Sequence, residues 1–211
     1  MGRYQFDFSS CCSVITNGSR SIITPRTTTD NFTISSPTAG FSTSIGSSLV
    51  NVHAPASNLD SLDSVYFETQ VSVGGLILSG TYNVTAVDAN NFQITARDAL
   101  GAPKNATSAV TDGGAVPAFT TVVNSPYITV TFADHGYAVG DTFPVLVSTT
   151  VGGIVIFGNY IVVSIGSSSQ FVITAATSAT SSAGPTGENG NQVRLLYYNT
   201  PGPPAVGTGY G

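Results

Sequence analysis

One pattern is written twice in this chain, and the repetition limits the fold to a tandem of small β units. Asp63 and Asp141 stand 78 residues apart (141 − 63). Val73-Gly74-Gly75 and Val151-Gly152-Gly153 keep that spacing, as do Val52/Val130, Gly80/Gly158, Tyr82/Tyr160 and Val84/Val162. One residue is then gained in a turn. Phe92/Phe171, Ile94/Ile173, Thr95/Thr174 and Ala96/Ala175 match at the new spacing of 79 (171 − 92). Glycines, aromatics and apolar phase agree together, which chance similarity between two Ser/Thr/Val-rich segments does not produce. Two copies are too few for a solenoid, so they read as tandem domains.

Within the second copy, residues 127–132 alternate, with Ile128, Val130 and Phe132 on one face and Thr129 and Thr131 on the other. Gly152-Gly153 predicts a tight hairpin. Residues 154–156 and 160–165 predict two apolar strands around Gly158, and Phe171-Val172-Ile173-Thr174 closes the unit. Short strands bounded by glycine and serine turns predict a sandwich or barrel. The expected organisation is therefore all-β: an N-terminal hairpin and docking segment (1–48), a first module (49–100), a linker loop (101–121), a second module (122–180), and a final strand with an extended Gly/Pro-rich arm (181–211). Asn17-Gly18 suits the type I′ turn of the N-terminal hairpin.

Charged residues make up only 8% of the chain and hydrophobic ones 41%, a balance unlike that of disordered segments. A surface built from Ser, Thr, Gly and Val is poorly suited to a free monomer, so neighbouring subunits are expected to cover part of it. The net charge is −5 and Lys104 is the single lysine, which argues against direct nucleic-acid binding. No apolar run is long enough to span a bilayer. The N-terminus has no apolar core of the kind a secretory signal needs, so none is expected. The adjacent Cys11 and Cys12 are expected to be free thiols.

No catalytic, metal or cofactor site is expected. His53 and His135 lack partners at metal-ligand spacing and read as turn or surface histidines. Asp63 and Asp141 precede strands, where a carboxylate accepts hydrogen bonds from turn amides. Asp134 beside His135 has no nucleophile in a Gly-x-Ser-x-Gly setting. Gly74-Gly75 and Gly152-Gly153 open no helix and so cradle no phosphate. The repeat positions Asp63, Gly75, Gly80, Tyr82 and Phe92, with Asp141, Gly153, Gly158, Tyr160 and Phe171, are expected to be structural, the aromatics anchoring each core. Tyr4, Phe6 and Phe8, which share one face, are candidate assembly contacts, together with Tyr197, Tyr198 and Tyr210.

The succession His135-Gly136, Gly140-Asp141, Gly158-Asn159-Tyr160-Ile161-Val162 and Phe171-Val172-Ile173 resembles a small β module found in virion structural proteins of tailed bacteriophages. The same module is also named after the first catalytic-cysteine half-domain of ubiquitin-activating enzymes. The first copy keeps Asp63, Gly80-Thr81-Tyr82-Asn83-Val84 and Phe92-Gln93-Ile94, but has Ser57-Asn58 for His-Gly and Leu62 for Gly140. The resemblance covers about half of the chain and implies a non-enzymatic part of a phage particle, at the tail, head–tail junction or capsid surface. Its partners would be further copies of itself and other virion proteins, and its location the virion. The rival expectation is a receptor- or carbohydrate-binding module of a phage fibre.

Overall fold

The structure, a computed structural model, describes residues 32–35 and 40–198 apart from 56, 58 and 62. Those residues form the strands β1 (Phe32–Ser35), β2 (Phe41–Thr43), β3 (Leu49–His53), β4 (Ser64–Val73), β5 (Leu76–Asn83), β6 (Thr85–Asp88), β7 (Asn91–Thr95), β8 (Val110–Gly113), β9 (Ala118–Thr121), β10 (Tyr127–Thr131), β11 (Thr142–Val151), β12 (Ile154–Ser167), β13 (Gln170–Thr174), β14 (Ala183–Gly187) and β15 (Gln192–Tyr198). A single 3-10 turn, Glu188–Gly190, joins the last two, and no α-helix occurs among the described residues. The fold is all-β, in the sandwich and barrel class that the strand and turn pattern predicts.

Period-two alternation builds the strands. β10 and β13 each run exposed–buried–half-buried–buried–exposed, turning Ile128, Val130, Phe171 and Ile173 inward. Three antiparallel sheets result, ordered β1-β15-β4-β5, β6-β7-β3-β2-β8 and β11-β12-β13-β10-β9-β14. The first two enclose one core between Phe41, Val50 and Val52 on one side and Val65, Phe67 and Leu195 on the other. The six-stranded sheet curls until its edge strands β11 and β14 touch, and it wraps a second core around Phe119, Phe143, Ile156 and Phe171.

The turn glycines show why the sequence repeats. Gly74-Gly75 and Gly152-Gly153 both lie at positive φ, joining β4 to β5 and β11 to β12. A side chain at Gly74 would run into Thr43 and the Ser108 carbonyl; one at Gly152 would run into Thr121 and the Ser181 carbonyl. Only glycine fits both the conformation and the space. Thr43 donates its hydroxyl to Ser108 O (2.9 Å), and Thr121 donates to Ser181 O (3.2 Å). These contacts lie outside the segments whose spacing reveals the repeat. Ala106-Thr107-Ser108 corresponds to Ala179-Thr180-Ser181 at a spacing of 73 (179 − 106). The first copy therefore carries six extra residues, 98–103.

Several expected boundaries shift. Residues 101–121, read as a linker, contain β8 and β9. β8 completes the five-stranded sheet against β2, and β9 sits inside the six-stranded sheet between β10 and β14. The final strand β15 does not stay with the second copy but pairs with β4 of the first. Residues 154–156 and 160–165 are not two strands: β12 runs unbroken through Gly158 and pairs with β11 in its first part and β13 in its second. In the first copy the chain leaves the strand at Val84, so β5 and β6 fall in different sheets. That one break makes the first copy a two-sheet sandwich and leaves the second as a single curled sheet. The hairpin expected around Asn17-Gly18, Cys11 and Cys12, and the arm beyond residue 198 lie outside the described residues.

Candidate assembly surface

The repeat positions occupy matching places. Asp63 Oδ2 accepts the Asp60 N–H at 2.8 Å, and Asp141 Oδ2 accepts the Ala138 N–H at 2.8 Å, each fixing the turn before a long strand. Tyr82 Oη accepts the Ser79 N–H (3.3 Å) and Tyr160 Oη the Phe157 N–H (3.0 Å). Gly80 and Gly158, at positive φ, mark the last paired residue before a bulge in each long hairpin. Phe92 and Phe171 are fully buried. Tyr82 is buried, whereas Tyr160 is half-buried against the second core.

The candidate contact residues divide differently. Tyr197, expected at an assembly contact, is instead part of the first core, 8% exposed and edge-on to Phe92 at 6.4 Å. β15 carries it there by pairing Tyr197 with Val65. Tyr198 pairs through its backbone with Ser64. Tyr4, Phe6, Phe8 and Tyr210 lie outside the described residues.

Among the described residues, both histidines hold structural hydrogen bonds. His135 is buried in its turn, with Nε2 donating to Ser167 O (2.9 Å) and Nδ1 accepting the Tyr137 N–H (3.0 Å). A neutral imidazole has one donor and one acceptor nitrogen, so both ring nitrogens are used here. His53 is exposed and bonds Asn91 (3.0 Å). No group of three or more His, Cys, Asp or Glu gathers at metal-binding distance among the described residues. Asp98, in the six-residue insertion, accepts the Leu100 and Ala102 N–H groups on one oxygen, and Arg97 Nη1 donates to Gly101 O, so the loop holds itself. A cavity of about 500 Å³ lies between this loop and the second copy, lined by Ile77, Ser79, Arg97, Lys104, Asp134 and His135 among others.

The two copies meet where Tyr137 Oη contacts the Gln70 amide (2.9 and 3.0 Å) and Ser72 Oγ donates to Ala133 O (2.7 Å). This turn of the second copy covers the outer side of the β4–β5 hairpin, and Ile77 packs against the second core. The equivalent hairpin of the second copy, β11–β12, has no such cover among the described residues. Its outer face is apolar: Val155 is 61% exposed, Phe157 62%, Ile161 54% and Val163 40%. Leu146 on neighbouring β11 adds a further exposed apolar side chain. At the matched outward positions the first copy has Ile77, Ser79, Asn83 and Thr85, polar at the last three. A face that differs this way between two copies of one module is not set by the fold.

Sequence reasoning missed this surface because residues 154–165 are apolar at almost every position, and such a run reads as a strand buried on both sides. The signal was available in the copies themselves, where the inward residues match and the outward ones do not. No helix among the described residues is long and apolar enough to cross a membrane. Comparison of the chain with known protein families, curated proteins and solved structures gives no match in any of the three.

Proposed function

We propose that the chain is a non-enzymatic structural component of a tailed-bacteriophage virion, one that assembles with copies of itself and with other virion proteins at the tail, head–tail junction or capsid surface. The observation that carries this reading is the uncovered apolar face of β12. Exposed contiguous apolar area of several hundred Å² marks an interaction surface in a soluble chain. The sparse charge of the chain points the same way, since a low-charge surface is better suited to burial in an assembly than to free solution. The phage assignment rests on the resemblance of the module around Gly140-Asp141, Gly158 and Phe171.

The test is to label the full chain at its C-terminus and locate it in purified particles by electron microscopy, with mass in solution measured alongside. Regular label at neck, tail or shell is the expected result. Removal of residues 2–8 and, separately, 199–211 reports whether Tyr4, Phe6, Phe8 and Tyr210 contribute to incorporation. A chain absent from particles would end the reading.

A further inference from the structure

We infer that two copies of this chain pack together through the outer face of β12, sheet against sheet about a twofold axis; this rests on the assembly reading above and names its contact.

Three observations select this arrangement. The first is charge. Residues 142–174, spanning β11, β12 and β13, contain no Asp, Glu, Lys, Arg or His. In a twofold contact a side chain on the axis lies against its own mate, so a charge there faces a like charge. A face with no charge at all is self-compatible. Contact with a partner of opposite charge gains nothing from such a surface.

The second is extent. β12 is 14 residues long. Its first part pairs with β11 and its second with β13, so at ~3.3 Å per residue and ~4.8 Å per strand the two-strand-wide face has a footprint of roughly 450 Å². Two such faces bury on the order of 900 Å², the size of a weak, reversible contact. Valine, isoleucine and phenylalanine on a pleated face are the residues that interdigitate when two sheets stack about 10 Å apart.

The third is that the competing route is closed. Copies could otherwise join by adding strands along the edge of β11, which β14, β4 and the 3-10 turn already approach. Pro144 lies on that edge without an N–H, and Glu188 Oε1 accepts the Val147 N–H (3.3 Å). A proline and an occupied donor blunt the edge as sheet edges are commonly protected. In this hairpin the face of β12, and not the edge of β11, is the open surface.

The experiment uses the full chain with Phe157→Lys and Phe157→Asp made separately, then mixed in equal amounts. Circular dichroism and thermal unfolding confirm that each is folded. Thr81→Lys, at an exposed position of β5 outside the face, is the control. The wild type and T81K are expected at multiples of the 21.5 kDa chain mass. Each Phe157 variant alone should dissociate at least tenfold more readily, and the mixture should recover the wild-type mass. Folded Phe157 variants that keep the wild-type mass would overturn the inference while leaving assembly through other surfaces intact. Variants that dissociate without recovering on mixing would overturn the twofold arrangement. A wild-type chain that is monomeric yet enters particles would also overturn the inference and leave the structural reading standing; absence from particles would remove that reading too.

Discussion

β4 and β11 are the same strand of the repeated module, and each presents an edge that must be closed. In the first copy a strand does it: β15 lies along β4, pairing Leu195 with Phe67 and Leu196 with Tyr66, and the Arg194 N–H reaches Thr69 Oγ1 at the bulge (2.9 Å). In the second copy, side chains do it. Pro144 stands at the place of Tyr66, and Glu188 takes the N–H of Val147, the place of Thr69. Asn189 adds its N–H to Thr149 Oγ1 (3.1 Å). A fixed module thus tolerates two unrelated closures, because what it requires is only that the edge donors be satisfied or absent. The sequence shared between the copies specifies turns and inward residues; the closure and the outer face are written in the residues that differ.

The largest way to break this comparison is through the cores. Phe92→Ala and Phe171→Ala each remove a fully buried ring at matched sites and should cost about 3–5 kcal/mol in chemical denaturation. Tyr160→Ala should cost less, about 1–2 kcal/mol, because its ring is only half-buried. Equal losses for Tyr160 and Phe171 would show the ring of Tyr160 to be as deeply seated as its counterpart.

Leu195→Ala should cost about 2–5 kcal/mol, since Leu195 is fully buried in the first core. Hydrogen exchange should accelerate in β4 and β5 and much less in β11 and β12. Uniform acceleration would mean that the two closures are energetically one.

Glu188 sharpens the contrast by pH. It is fully buried, its Oε2 makes no hydrogen bond, and burial pushes its pKa up to about 8 against the lowering effect of the Val147 and Leu146 N–H groups. The folded protein holds this proton up to about pH 8, whereas the unfolded chain releases it near 4.5. Stability from this group is complete below 4.5 and drains away as pH rises between the two values, by on the order of 5 kcal/mol. Glu188→Gln should flatten that decline, leaving the variant more stable than the parent at pH 8. An unchanged slope would mean that Glu188 is hydrated and ionised.

The smallest effect belongs to the rim of the strand closure. Arg194 Nε pairs with Glu68 Oε2 at 2.6 Å, with both side chains partly exposed. Arg194→Met should cost under about 1 kcal/mol, and less in high salt. A loss of several kcal/mol would make this pair, rather than the apolar side chains of β15, the main fastening of β15 to β4.

What the sequence made legible follows from these forces. Turn glycines at positive φ and alternating inward residues are local requirements, so Gly75, Gly153, Phe92 and Phe171 could be read one by one. β8 could not: Val110-Thr111-Asp112-Gly113 is an edge strand with no buried alternation, held by its pairing with β2. Nor could the destination of β15, because an apolar strand carries no label for the edge it joins. Tyr197 looked like a docking residue since its partner Phe92 lies more than a hundred positions away. The β12 face was hidden because a strand apolar on both sides reads alike whether its second side meets its own chain or another.

The return of β15 to the first module also fixes the order in which the molecule can be completed. The first core needs Val193, Leu195 and Tyr197, whereas the second is closed once β14 ends at Gly187. As the chain emerges from the ribosome, the module made first is therefore the one finished last, and β4 waits with an open edge while more than a hundred further residues are synthesised. A closure spanning 125 residues is a slow step for an isolated chain. It also couples the halves: severing the chain between β8 and β9 would strand the first module without its last strand.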